Sequence, residues 1–290
     1  MKLVTSVSQM QKLSQTLRRR GKKIGLVPTM GFLHEGHLSL VRIARKKSDV
    51  VVVSIFVNPT QFGPQEDFEK YPRNLAQDKK LLAREKCDIL FYPSVGDIYP
   101  ENYLTYVEVK DITEVLEGAF RSGHFQGVVT VVTKLFNIVQ PDVAVFGQKD
   151  AQQLVAIRKM ASDLNFAAKI LTGKTVRDKE GLALSSRNSY LTDEQKIQAQ
   201  CLRQALMKGK SLIQEGQRDS QKIINSMQEV IRRQKNADID YIAVSDAESL
   251  QPLGKISGRV LISLAVKFGQ TRLIDNICLQ AGKKVSEVTC

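Results

Sequence analysis

Apolar positions along this chain switch repeatedly between short continuous runs and helical spacing. Runs at Ile24 to Val27, Val50 to Val57, Asp88 to Tyr92, Asp142 to Phe146 and Lys169 to Val176 predict strands. The unbroken Val50-Val51-Val52-Val53 suits a strand covered on both faces. Between these runs, apolar residues at three- and four-residue spacing predict helices over Leu38 to Lys47, Leu75 to Glu85, Gly127 to Val139 and Ala151 to Leu164. The amino terminus, Met1 to Gln15, reads as a strand followed by an amphipathic helix. Strand and helix in alternation build an α/β fold, a Rossmann-like doubly wound parallel sheet that binds ligands beyond the carboxyl ends of its strands.

From Thr192 the pattern changes. Helical stretches over Thr192 to Gly216 and Ser220 to Gln234 precede strand-like segments at Ile239 to Val244 and Val260 to Val266, which predicts a smaller C-terminal α+β domain. The boundary is expected between Val176 and Leu191, where Gly181 and Ser185-Ser186 interrupt the periodicity, giving domains 1–183 and 184–290.

Composition narrows the class. A chain of 290 residues with 42% hydrophobic content can bury a sizeable core. The cysteines Cys87, Cys201, Cys278 and Cys290 stand far apart, which argues against a disulfide framework or a zinc ribbon and for a reducing, cytoplasmic setting. No signal-peptide core and no membrane-length apolar run is present. The net charge of +13, densest at Arg18-Arg19-Arg20 with Lys22-Lys23, admits nucleic acid as a partner. Without interleaved aromatics or a binding motif, however, no nucleic acid is expected, and anionic small substrates account equally well for a positive field.

The chemistry concentrates where strands end. Ile24 to Val27 leads into Pro28-Thr29-Met30-Gly31-Phe32-Leu33-His34-Glu35-Gly36-His37 and then a helical pattern, so a helix starting near Gly36 would aim its unpaired N–H groups beyond the strand. Two imidazoles three residues apart there can both donate to a phosphoryl group, and Gly36 permits close approach. The alternatives are polar turn residues satisfied locally, or a three-histidine zinc site with His124. The spacing Glu35-Gly36-His37 lacks the metalloprotease pattern.

Asn58 and Gln61 follow the second strand and offer neutral amides to a hydroxylated substrate, though alone they make an ordinary turn. Asp78, beyond Tyr71-Pro72-Arg73, is either a solvent-facing carboxylate or a ligand for Mg²⁺ on nucleotide phosphates. Gly147-Gln148-Lys149-Asp150 with Gln152-Gln153 places a cation for phosphate beside an aspartate that could equally cap the next helix. Ser185-Ser186-Arg187 offers hydroxyls beside a guanidinium, a clamp for pyrophosphate. Gly173-Lys174-Thr175 looks like a P-loop tail but lies in a predicted strand, and no dinucleotide glycine fingerprint occurs.

Taken together these motifs resemble the pantothenate synthetase (pantoate–beta-alanine ligase) family of His-x-Gly-His nucleotidyltransferases. The likeness also takes in Gly123-His124-Phe125, Gly127-Val128, Asn188 and Thr271-Arg272-Leu273-Ile274-Asp275-Asn276, and so spans nearly the whole chain. It implies ATP-dependent joining of (R)-pantoate to β-alanine through pantoyl adenylate, with Mg²⁺ on ATP and a homodimer. Carried onto this sequence, it implies that Met30, Gly31, Phe32, Leu33, His34, Glu35, Gly36 and His37 wrap the ATP phosphates, with His37 the proton donor and His34 supporting charge. Lys149 and Arg187 would hold the β- and γ-phosphates, with Ser185 and Ser186 completing the clamp. Gly147, Gln148, Asp150, Val176 and Leu184 would line the nucleotide, the backbone at Gly147 and Val176 reading adenine. Pantoate would meet Gln61, Gln153 and Asn58, β-alanine would meet Gln61, and Asp78 would be the direct Mg²⁺ ligand. Residues 1–183 would then bind ATP and pantoate, with 184–290 the smaller lid-like domain.

Overall fold

The computed structural model describes residues 1–64, 66–282 and 285–290. In chain order the elements are β1 (Lys2–Val4), α1 (Val7–Arg19), β2 (Ile24–Thr29), α2 (Glu35–Arg45), β3 (Val50–Ile55), α3 (Leu75–Arg84), β4 (Ile89–Phe91), α4 (Val95–Ile98), α5 (Glu117–Phe120), α6 (His124–Val139), β5 (Val143–Gly147), α7 (Ala151–Asp163) and β6 (Lys169–Gly173). Then follow α8 (Asp193–Ala199), α9 (Cys201–Gln214), α10 (Ser220–Arg232), β7 (Ala237–Asp246), β8 (Gly258–Phe268), β9 (Thr271–Ala281) and β10 (Ser286–Val288). Among the described residues no helix is long and apolar enough to cross a membrane.

Two compact units emerge. The first comprises Met1–Lys110, Arg121–Gly147 and Ala156–Gly173; the second comprises Asp111–Phe120, Gln148–Val155 and Lys174–Cys290. The sequence-based division at 183/184 follows chain order, whereas these units follow packing, so two short excursions of the chain group with the second. Hydrogen bonds account for both excursions. Gln152 accepts from the Glu117 N–H at 2.9 Å and donates to the carbonyls of Ile112 and Val115 at 2.8 and 2.7 Å. Asn276 holds the carbonyls of Gln148 and Lys149.

The first unit carries a six-stranded sheet in the order β1-β4-β3-β2-β5-β6, with every pairing parallel. This is the expected Rossmann-like arrangement. Val51, Val52 and Val53 are fully buried, consistent with cover on both faces of β3. Strand order reverses between β2 and β5: β3 and β4 lie to one side of β2, and β5 and β6 to the other. At such a switch point the loops leaving neighbouring strands diverge and open a crevice, and the loop leaving β2 is the one that carries both histidines.

The second unit packs α8, α9 and α10 with an antiparallel sheet in the order β10-β9-β8-β7. Its core includes Leu202, Leu206, Ile223, Met227, Ile262 and Leu264. The expected helix over Thr192 to Gly216 is two helices, but Gln200 between them keeps right-handed φ and ψ of −61° and −23°. Its N–H bonds three residues back, to Ile197, so the break is a locally tightened turn. Strand β9 lies outside the elements that periodicity predicts; it pairs residue for residue with β8 around a tight turn at Gly269, where φ is +61°. Arg272, Asp275 and Asn276 interrupt the apolar alternation that would have revealed it. All four cysteines are buried and outside any disulfide, and burial pushes Cys87 up to about 11 and Cys201 to about 12.

Candidate active site

In the first unit the β2–α2 loop is built around backbone conformations that few residues adopt. Gly31 and Phe32 both have positive φ, +83° and +49°. A Cβ on Gly31 would stand 3.0 Å from Ile55 Cγ2 and 3.1 Å from Asp78 Oδ2. Asp78, on α3, is 2% exposed. Its Oδ2 accepts the Phe32 N–H at 2.9 Å and its Oδ1 accepts the Leu33 N–H at 2.7 Å. The carboxylate therefore fixes the strained pair of peptides from outside the loop, and the solvent-facing reading of Asp78 does not hold. Burial pushes its carboxyl above the usual range, against the opposing pull of the Leu33 and Phe32 N–H groups.

His34 is the N-cap of α2, which begins one residue before the expected Gly36. Its Nδ1 accepts the Gly36 N–H at 3.1 Å, and His37 Nδ1 accepts the His34 N–H at 3.3 Å. The two rings lie 4.1 Å apart, tilted by 39°. With each Nδ1 receiving a backbone hydrogen, the neutral tautomer of both rings carries its proton on Nε2. Two Nε2–H donors at a helix amino terminus are suited to donate to an anion. Gly36 has a role that spacing did not reveal: a Cβ there would lie 2.8 Å from His34 Cε1 and 2.9 Å from its Nδ1, so only glycine lets His34 cap the helix with its ring. Glu35 is occupied by Arg42, which donates to both of its oxygens at 2.6 and 3.0 Å. A cavity of about 450 Å³ in this unit is lined by Met30, Gly31, Ile55, Phe56, Asp78 and Tyr92 among others.

The amides after β3 form a directed network. Asn58, 1% exposed, accepts on Oδ1 from Thr60 Oγ1 at 3.0 Å and from Tyr99 OH at 2.9 Å. Its Nδ2 must then face acceptors, and it donates to Gln61 Oε1 at 3.1 Å and to the Gly127 carbonyl at 3.0 Å. That orientation fixes the next amide in turn: Gln61 presents Nε2 as a donor, aimed at Met30 Sδ at 3.1 Å. Asn58 thus orients Gln61. Burial raises the Tyr99 hydroxyl to about 12, against the hydrogen bonds of Thr60 and Asn58, so it stays a donor at neutral pH.

Gly127 makes this geometry attainable. A Cβ on it would fall 2.3 Å from the Thr60 carbonyl oxygen, so α6 approaches the Pro59–Gln61 turn as only glycine allows. Gly127→Ala is expected to destabilise the protein by about 1–3 kcal/mol through overpacking. An unchanged denaturation midpoint would contradict the close approach.

His124 is not part of a histidine triad. Arg121 Nη1, which can only donate, meets His124 Nε2 at 2.9 Å, and His124 Nδ1 donates to the Gln61 carbonyl at 2.7 Å. Arg121 also grips both oxygens of Glu66, at 2.7 and 2.6 Å. Burial pushes the Glu66 carboxyl up, but its bonds to Arg121 outweigh this and hold it below the usual range. Among the described residues no group of three or more His, Cys, Asp or Glu side chains is placed to hold a metal ion, which removes the zinc reading.

The second unit carries the other expected residues. Gln148, Lys149 and Asp150 form one 3-10 turn ahead of α7, with Lys149 Nζ 3.5 Å from Asp150 Oδ1. Gln153 lies half-buried in the first turn of α7. The Val176 carbonyl accepts the Leu184 N–H at 2.9 Å. Ser185 caps the 3-10 turn Ser186–Tyr190 and accepts from the Arg187 N–H at 3.3 Å, while Asn188 donates to the Ala183 carbonyl at 3.0 Å. The structure thus gathers Met30 to His37, Asn58, Gln61 and Asp78 in one unit, and Gln148 to Asp150, Gln153, Val176 and Leu184 to Arg187 in the other. Gly147 ends β5 in the first. Tyr99, Thr60, Arg121 and Glu66 escape a reading of the sequence because each acts through partners that local spacing does not reveal.

Known proteins share this architecture. The sequence model of the family described as pantoate-beta-alanine ligase matches residues 2–278. A pantothenate synthetase of Moorella thermoacetica is 55% identical over 280 residues, covering 97% of this chain and 99% of that one. The crystal structure of pantothenate synthetase from Thermus thermophilus superposes with a TM-score of 0.91 at 42% identity, covering 95% of this chain and 98% of that one. Pantoate-beta-alanine ligase from Francisella tularensis, crystallised in complex with beta-gamma ATP and beta-alanine, gives a TM-score of 0.78 at 38% identity, covering 95% and 97%. A strand-end imidazole pair, a glycine-dependent helix cap and likeness along almost the full length agree, and the chain belongs to the pantoate–beta-alanine ligase family.

Proposed function

We propose that this protein is an ATP-dependent ligase that condenses (R)-pantoate with β-alanine, forming a carbon–nitrogen bond and releasing pantothenate, AMP and diphosphate. Membership in a family of pantothenate-forming ligases supports the overall reaction. The single observation that carries the mechanism is the paired Nδ1 acceptance at His34 and His37, which directs two Nε2–H donors from a helix amino terminus.

In the first half-reaction a pantoate carboxylate oxygen attacks the α-phosphorus of ATP. The bond from the α-phosphorus to the bridging oxygen breaks, and diphosphate leaves. His37 and His34 donate to phosphoryl oxygens as charge accumulates, with Met30 to Gly36 wrapping the phosphates. Lys149 and Arg187 hold the β- and γ-phosphates, with Ser185 and Ser186 beside them. Gly147, Gln148, Asp150, Val176 and Leu184 line the nucleotide. Gln61, its Nε2 oriented by Asn58, donates to an acceptor oxygen of pantoate; Gln153 is the second pantoate ligand. In the second half-reaction the amine of β-alanine, near Gln61, attacks the acyl carbon, and AMP departs with the carboxylate oxygen. Assignment of 1–183 to ATP and pantoate binding and of 184–290 to a smaller lid-like domain belongs to this reading, as do the homodimer and a cytoplasmic location.

Mg²⁺ fits here as part of the nucleotide complex, where it neutralises phosphate charge. Both oxygens of Asp78 already accept a backbone N–H, so a direct bond from Asp78 to the metal would have to share them. We therefore assign Asp78 to the loop first, with direct ligation of Mg²⁺ secondary. Labelled diphosphate should exchange into ATP when pantoate is present and β-alanine is absent. Exchange that ignores pantoate would instead point to a nucleotidyltransferase acting on another acceptor.

A further inference from the structure

The polar step Asp275-Asn276 in the middle of β9 has no part in the scheme above, and it is costly to bury. Asp275 is 2% exposed and Asn276 4%. Flanking Leu273 and Ile277 belong to the apolar core of the second unit. A carboxylate persists in such surroundings only where specific partners satisfy it, and of the Asn276 amide it is the Nδ2 end that finds partners, Oδ1 having none among the described residues. Asp275 accepts from Nη1 and Nη2 of Arg177, at 2.6 and 2.9 Å, and from the Asn276 N–H at 2.8 Å. Asn276 Nδ2 donates to the carbonyls of Gln148 and Lys149 at 3.0 and 2.8 Å. Two carbonyls facing the same nitrogen fix which end of the amide is which.

Those partners lead to the two cationic phosphate ligands of the proposed mechanism. Asn276 fastens the peptide on either side of the Lys149 Cα. Arg177, held by Asp275, donates to the Gly181 carbonyl at 3.1 Å, and its backbone bridges to Ala183. That hairpin, tied by Asp178 Oδ1 to the Leu182 N–H at 2.8 Å and by Asn188 to the Ala183 carbonyl, runs directly into Ser185-Ser186-Arg187.

We propose that Asp275 and Asn276 are positioning residues for ATP: Asn276 sets the backbone that presents Lys149, and Asp275, through Arg177, sets the hairpin that presents Ser185 to Arg187. The inference rests on the assignment of Lys149 to the ATP phosphates. It differs from a role in general stability because it is directional: loss of either anchor should impair ATP more than pantoate.

The test is a double-mutant cycle read by diphosphate exchange, with KM for ATP and for pantoate measured separately. Asn276→Asp keeps the size of the side chain and replaces its donor with an acceptor facing two carbonyls. It should raise the KM for ATP about tenfold or more, with the KM for pantoate changed by less than about twofold. In a Lys149→Ala background the same substitution should add almost nothing, because the group it positions is gone. Full additivity, or equal changes in both KM values, would overturn the proposal. If Lys149→Ala alone left the KM for ATP unchanged, the Lys149 assignment itself would fall and this inference with it, a result distinct from additivity. Should Asn276→Asp not fold, Asn276→Ser in the same cycle gives the same decision.

Discussion

Replacing His37 with alanine is expected to lower turnover about a hundredfold or more while leaving the fold intact, the usual worth of a donor that meets charge developing in the transition state. The structural cost should be small. His37 supplies one half of the capping box of α2, a long 3.3 Å bond from the His34 N–H to its Nδ1, while His34 keeps the other half. The ring contributes a directed Nε2–H at a helix start, and alanine removes that donor without disturbing the helix dipole. Circular dichroism and the denaturation midpoint should match the parent protein. Turnover within a few-fold of the parent would make the ring a bystander.

Asp78→Ala should have the second-largest effect, and on a different quantity. The substitution strips the acceptors from one buried and one part-buried N–H group in a loop that also holds Gly31 and Phe32 at positive φ. At about 1–3 kcal/mol for each unsatisfied donor, the folded state should lose roughly 2–6 kcal/mol. Turnover should fall with it, since Leu33 leads directly into the His34 cap. The pH dependence has a definite sign. Burial raises the Asp78 carboxyl above its unfolded value, so protonation favours the native state. That part of its contribution is fully present below the unfolded pKa and is lost as pH rises through the raised native value. The stability difference between parent and Asp78→Ala should therefore be larger on the acid side of that window. A difference that grew with rising pH through it would contradict the buried, desolvated carboxylate.

Much of the first unit was legible because a parallel sheet covered on both faces writes itself as unbroken apolar runs, as at Val50 to Val53. The histidine loop was legible because turn residues, glycine and helix onset coincide there. Gly36 shows the limit of that reading. Its presence is plain in the sequence, but its reason is a steric relation to the His34 ring that arises only in the fold. Asp78 was ambiguous because what makes it important is a pair of N–H groups 45 and 46 residues away. Asn58 offers the sequence a substrate amide that alone makes an ordinary turn, and its four internal hydrogen bonds, which orient Gln61, depend on partners that spacing does not show. β9 escaped notice because the polar residues that break its alternation are those that reach out of the sheet to Arg177, Gln148, Lys149 and Glu117. Local pattern records burial, whereas these features depend on partners brought together by the fold.

The central claim is that an acid becomes reactive here by capture of the α-phosphorus. Pantoate labelled with ¹⁸O in its carboxylate, turned over with ATP and β-alanine, tests it directly. Mass spectrometry of the AMP should find one labelled oxygen per molecule formed. Unlabelled AMP, with the isotope in orthophosphate or diphosphate, would contradict adenylation and with it the roles assigned to His34 and His37.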